Sequence, residues 1–189
     1  YEYVSATKDY RYASDNFWLV ESLVEWVSKS WRSESTDIWE ERGVTRHYVH
    51  TKVMSWVALD RASKLAKMIG NKSEADEWEA RAEEIREDVM RNGVRDGQFV
   101  RYYGGDETDA ALLTLPIYGF VSPYDERFLK TFDRIRSELE VSPYLYLRYK
   151  RDFMGNAKNP FVLVTLWVAR VLIRMGKIKE AENHVKRLV

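Results

Sequence analysis

Apolar positions recur at helical spacing along most of the chain. Residues 15–31 place Trp18, Leu19, Ser22, Leu23, Trp26 and Val27 on what a 3.6-residue period makes a common face. Residues 46–69 stack Val49, Val53, Trp56, Val57, Ala62 and Leu65, with Gly70 as the expected stop and Ser73 as the expected cap of the next helix. Residues 74–91 carry a narrow stripe, Trp78, Ala82, Ile85 and Val89, opposite a densely charged face. That helix is expected on the outside. The N-G and D-G pairs of RNGVRDGQFVRYYGG predict turns and a hairpin.

A short helix is expected over DAALLTLP, begun by Asp106 or Thr108, and a longer one over residues 126–139. YLYLRYKRDF alternates in the manner of a strand. Pro160 suits a first helical turn and opens residues 161–175, whose run FVLVTLWVARVLI is apolar nearly all round and so is expected to be buried on all sides. A last amphipathic helix covers residues 177–189. About seven helices in succession, inner alternating with outer, predict an all-α helical toroid or part of one. Residues 1–189 read as a single domain, with no linker and no tight repeat.

Composition narrows the function. Thirty basic and thirty acidic residues give a net charge of zero, so no single-sign field recruits nucleic acid or anionic lipid. The longest apolar run is too short to span a bilayer and contains Arg170. The absence of cysteine excludes disulfides, thiolate metal sites and cysteine nucleophiles, and suits a cytoplasmic setting. Gln98 is the only glutamine beside abundant Glu, Lys and Arg, a bias that fits a thermophile. The opening YEYVSATKDY lacks a methionine, and a piece of a longer protein is expected.

The candidate chemistry centres on TDIWEERG, where Glu40 and Glu41 follow Trp39, with Asp37 before and Arg42 after. Paired carboxylates carry glycoside hydrolysis, in which one must hold a proton for the leaving oxygen. A neighbouring negative charge raises a carboxyl pKa, as Glu41 could do for Glu40. The plain alternative is a solvated acidic pair near a helix N-terminus. HYVHTKVMSW adds His47, Lys52 and Trp56. His47 and His50 are spaced as a metal pair, but without a third ligand nearby they read as ordinary histidines. Asp106 and Asp109 stand at the mouth of a helix, where capping is the plain explanation. The tyrosines and arginines of YLYLRYKRDF suit either a carbohydrate cleft or a core.

DIWEERG, RHYVHTKVMSWVALDRASKLA, GQFVRYYGGDETDAALLTLPIYGF and NPFVLVTLWVARVLIRMGKIKEA together resemble, in order, the catalytic domain of glycoside hydrolase family 15. The resemblance implies an (α/α)6 barrel of which this chain is the C-terminal portion. It implies a glucoamylase-like enzyme releasing glucose from α-glucosidic ends with inversion, with no cofactor and no metal. The partner would be an α-glucan oligosaccharide or a trehalose-like substrate. Glu40 takes the general-acid position. Asp37, Trp39, Glu41, Arg42, Arg46, His47, Lys52, Trp56 and Asp109 match substrate-side positions. Lys158 falls where a base carboxylate is expected, and an ammonium cannot serve as that base at neutral pH. Asp152 is the nearest acid in sequence. The alternative is therefore an inactive carbohydrate-binding or structural remnant. Faces left open by missing helices predict a homo-oligomer.

Overall fold

The computed structural model describes residues 1–152 and 155–188; of Asp152 only the backbone is included, so its candidacy as a base falls outside the described side chains. Among the described residues the chain forms nine α-helices and three two-stranded hairpins. None of these helices is long and apolar enough to cross a membrane. The fold is all-α and of the (α/α)-barrel type.

Two short helices, α1 (Glu2–Thr7) and α2 (Tyr10–Asp15), precede α3 (Phe17–Ser30). A long excursion then leads to α4 (Val49–Ile69), which turns sharply into α5 (Lys72–Asn92). The turn is made by Gly70, whose φ of 88° is left-handed and whose N–H returns to the carbonyls of Ala66 and Lys67. Asn71, rather than Ser73, occupies the cap of α5. The hairpin of α4 and α5 is the centre of the molecule. α4 buries Val49, Val53, Trp56, Leu59, Ala62 and Leu65, whereas α5 buries one stripe through Trp78, Ala82, Ile85 and Val89 and keeps its charged residues outside that stripe. The inner and outer roles follow the predicted pattern.

The α3 helix differs. Its expected apolar face is largely exposed: Trp18 and Trp26 are 64% and 69% accessible, and Leu19 and Leu23 are exposed as well. Phe17 and Val24 are buried instead, with Val20 and Val27 packed beside them. The helix carries two apolar stripes, and the one rich in β-branched residues faces α4.

After α5 comes the predicted hairpin, β1 (Val94–Arg95) with β2 (Gln98–Phe99). Asp109 caps a 3-10 turn at Ala110–Leu113 that continues into α6 (Thr114–Ile117). α7 (Glu126–Leu139) has the predicted bounds. The YLYLRYKRDF segment is not one strand. It supplies β4 (Leu145–Tyr146), paired with β3 (Glu140–Ser142), and β5 (Arg151–Asp152), paired with β6 (Gly155–Asn156). Between these hairpins Ala110 N–H bonds the Arg148 carbonyl, which diverts the chain into the site.

The last hairpin is α8 (Val162–Arg174) with α9 (Ile178–Lys186). α8 is not enclosed on all sides as expected: Val164, Thr165, Val168 and Leu172 are buried, but Val162, Leu166 and Ile173 are exposed. Its apolar sequence serves two faces, of which one is covered.

Gly93 ends α5 against the start of α4. A Cβ there would lie 2.8 Å from Val49 Cγ2 and 2.8 Å from the Val89 carbonyl oxygen. Gly93→Ala is expected to destabilise the protein by about 1–3 kcal/mol through this overlap, measured by denaturant unfolding.

Candidate active site

The stretch between α3 and α4 folds over the N-terminus of α4. Its base is closed by a reciprocal backbone pair, Ser35 N–H to the Arg46 carbonyl at 2.9 Å and Arg46 N–H to the Ser35 carbonyl at 3.0 Å. Inside that frame Glu41 N–H reaches the Thr36 carbonyl at 3.0 Å. Asp37 and Glu40 both take left-handed φ values, 59° and 49°. Such values are uncommon outside glycine and require support from surrounding contacts.

That support is specific. The Asp37 carboxylate, with 2% of its side chain accessible, accepts from Thr51 Oγ1 at 2.9 Å and lies 3.0 Å from His50 Nδ1. Both partners stand in the first turn of α4, where a carboxylate is also favoured by the helix dipole. Trp39 Nε1 donates to both oxygens of Asp109, at 2.9 and 3.1 Å. Its ring packs against Tyr149, Phe161 and Trp167. Glu41 accepts from the Tyr48 hydroxyl and from Arg101 Nη2, the latter at 3.0 Å. Arg101 Nε lies 3.1 Å from Asp109 Oδ2. Glu40 alone among these acids is exposed, and its carboxyl has no hydrogen bond or ion pair among the described residues.

The electrostatics follow from burial. Burial pushes the Asp109 carboxyl up to about 6, and the Asp37 charge adds to the shift against the pull of Arg101. Burial and the Glu41 carboxylate push the Tyr48 phenol well up, so it remains a donor. The same acids hold Arg101 protonated despite its burial.

The other predicted residues are dispersed around this nucleus. Arg46 stacks its guanidinium 4.2 Å over the Tyr102 ring and, with Glu41 and Arg101, lines a cavity of about 380 Å³. His47 stacks on Tyr103 beside a second cavity of about 350 Å³. Lys52, at the floor of that second cavity, is 1% accessible and donates to the carbonyls of Trp31 and Ser33, so its ammonium closes the C-terminal end of α3. Trp56 is a core residue edge-on to Phe120. Arg42 is exposed. Lys158 is exposed three positions before Phe161. Because the Phe161 ring meets Trp39 at 6.0 Å, that segment and the Glu40 loop share one side of the fold.

Sequence reasoning missed Arg101 and Tyr48, whereas Arg148 belongs to the YLYLRYKRDF stretch whose arginines were candidates for a cleft. Arg101 is buried in the middle of the apolar-aromatic run QFVRYY, a placement that signals a paired interior cation. The Arg148 guanidinium lies over Trp39, Tyr149 and Phe161 at 5.5, 5.2 and 6.0 Å.

Helical hairpins carrying a carboxylate loop over the start of an inner helix define an (α/α)-toroid domain. The sequence profile of "Glycosyl hydrolases family 15" matches residues 1–187, and the chain belongs to that family. It corresponds to the C-terminal portion of the catalytic domain. It is 59% identical over its whole length to trehalase 2 of Sulfolobus acidocaldarius, covering 33% of that protein. It is 38% identical to the trehalase of Thermoplasma volcanium, over 90% of the chain and 28% of the relative. The chain thus spans about a third of the length of these relatives. Among solved structures, a glycosidase variant in complex with glucose superposes with a TM-score of 0.76 at 24% identity, covering 86% of this chain and 43% of that one. A bacterial glucoamylase complexed with acarbose gives 0.76 at 17% identity, over 93% and 32%. These two likenesses establish the fold.

The raised Asp109 value has a definite sign for stability. The folded-state pKa lies above the ordinary 3.8, so the folded protein holds the proton where the unfolded chain has lost it. This contribution is full below that ordinary value and is lost as pH rises through about 6. The stability of the wild type relative to Asp109→Asn is expected to fall between pH 4 and pH 7, measured by denaturant unfolding across that range.

Proposed function

We propose that the protein carrying this chain hydrolyses trehalose or a closely related α-glucoside, with Glu40 as the general acid. The observation that carries this reading is the contrast within the TDIWEERG loop. Asp37, Trp39 and Glu41 are each tied to the scaffold, while Glu40 between them is exposed and unpartnered among the described residues. An acid that must meet a substrate oxygen needs a fixed backbone and a free carboxyl. The relatives' names favour trehalose over the longer α-glucans expected of a glucoamylase-like enzyme.

In this mechanism Glu40 protonates the glycosidic oxygen. A carboxylate-activated water attacks the anomeric carbon from the opposite face, so one glucose is released with inverted configuration. The two carboxyls of such a pair stand about 6.5–9.5 Å apart. Lys158 has no lone pair to offer while protonated, so the base is a carboxylate at another position. The exposed apolar faces of α3 and α8 are assigned in this reading to further helices of the toroid rather than to a second copy. That assignment is supported by the chain's one-third share of its relatives' length.

A second reading is favoured by Lys158 itself: a sugar-binding remnant without turnover. Glucose release from trehalose and from maltooligosaccharides separates the two. Trehalose turnover that falls by about 1000-fold or more in Glu40→Gln, with the fold intact by circular dichroism, supports the proposed acid. Saturable trehalose binding without release from the wild type would establish the remnant instead.

A further inference from the structure

The geometry points to Asp109 as a positioning residue that holds the Glu40 backbone in its left-handed conformation, acting through Trp39 on one side and through Arg101 and Glu41 on the other. The inference rests on the assignment of Glu40 as the acid and gives Asp109 a role other than contact with sugar. Asp109 is 1% accessible and lines neither of the two cavities described above. Its oxygens accept hydrogen bonds from the Trp39 indole and from the Ala111 N–H at 2.7 Å, and Oδ2 forms an ion pair with Arg101 Nε at 3.1 Å.

The connectivity makes the case. Residues 39 and 41 flank Glu40, and both lead back to the same carboxylate. Trp39 bonds it directly, and Glu41 is joined to it by the Arg101 guanidinium, whose Nη2 meets Glu41 and whose Nε meets Asp109. Asp109 is itself fixed, because its backbone sits at the cap of the 3-10 turn and forms a bridge with Tyr149. A φ of 49° at a glutamate does not persist without such clamping. Releasing either clamp lets residue 40 relax toward ordinary backbone angles and swings its carboxyl away from the glycosidic oxygen. A displacement of that size reduces the rate of the chemical step while leaving substrate contacts in place.

The test uses the protein carrying this chain, with trehalose as substrate. Wild type, Asp109→Asn, Trp39→Phe, the double variant and Glu40→Gln are compared for kcat and KM, well below the unfolding temperature of each. The expected result is a kcat reduced about 100-fold in Asp109→Asn and in Trp39→Phe, with KM held within about threefold. The double variant is expected to be no slower than the worse single one, since both break the same link. Trp39→Phe leaves the carboxylate, its cap and the Arg101 pair in place, so it carries the test alone if Asp109→Asn does not fold.

Three results would overturn the inference. A wild-type kcat in Asp109→Asn or Trp39→Phe would make the network purely structural, with Glu40 still the acid if Glu40→Gln is inactive. A raised KM at unchanged kcat in Asp109→Asn would make Asp109 a substrate ligand. Full activity in Glu40→Gln would remove the acid assignment itself, and the positioning role with it.

Discussion

Burying a carboxylate is costly unless donors surround it, and Asp109 is where the chain meets that cost. The carboxylate gathers an indole N–H, a backbone N–H and a guanidinium from parts of the sequence up to seventy residues apart. Through them it joins the loop after α3, the strand-like stretch at Arg101 and the 3-10 turn that leads into α6. Remove the charge and Arg101 retains, among the described residues, only Glu41 as an acid partner. Such interior pairs contribute little to net stability against a well-packed apolar substitute, but they fix a register that apolar packing leaves free. The register here is that of the loop bearing Glu40.

The helical scaffold explains why the junction can sit where it does. The α4–α5 hairpin supplies a rigid inner helix whose first turn presents His50 and Thr51 to Asp37. α8 supplies Trp167, and its cap residue Phe161 completes the aromatic surround of Trp39. Below the loop, Lys52 ties off the carbonyls at the end of α3, so both ends of the excursion are held before any ligand arrives. The loop bearing Glu40 is thus held by contacts that do not use the Glu40 side chain.

Much of this was legible in the sequence, and the exceptions share a cause. α5, with one dominant apolar stripe, was readable from periodicity alone because only one face could turn inward. α3 and α8 carry two apolar faces, of which one is exposed, and periodicity alone cannot say which of the two is covered. The alternating run YLYLRYKRDF looked like a strand, yet its backbone is divided between two hairpins by tertiary bonds such as that from Ala110 to Arg148. In the site, the Trp-Glu-Glu motif and Asp109 were visible as residues. Their mutual bonds were not, since Trp39 and Asp109 are far apart in sequence. Tyr48 and Arg101 passed unnoticed because an isolated tyrosine or arginine carries no pattern until its partner is placed.

The central claim is that Glu40 is delivered, free and preoriented, to the oxygen of a glycosidic bond. A crystal structure of the Glu40→Gln protein holding intact trehalose tests it most directly. The account predicts the substituted side-chain amide at position 40 within roughly 2.6–3.2 Å of the glycosidic oxygen, on an unchanged left-handed backbone with the Trp39–Asp109 bond intact. Trehalose bound with that oxygen against another carboxyl, and the side chain at position 40 turned to solvent, would contradict it.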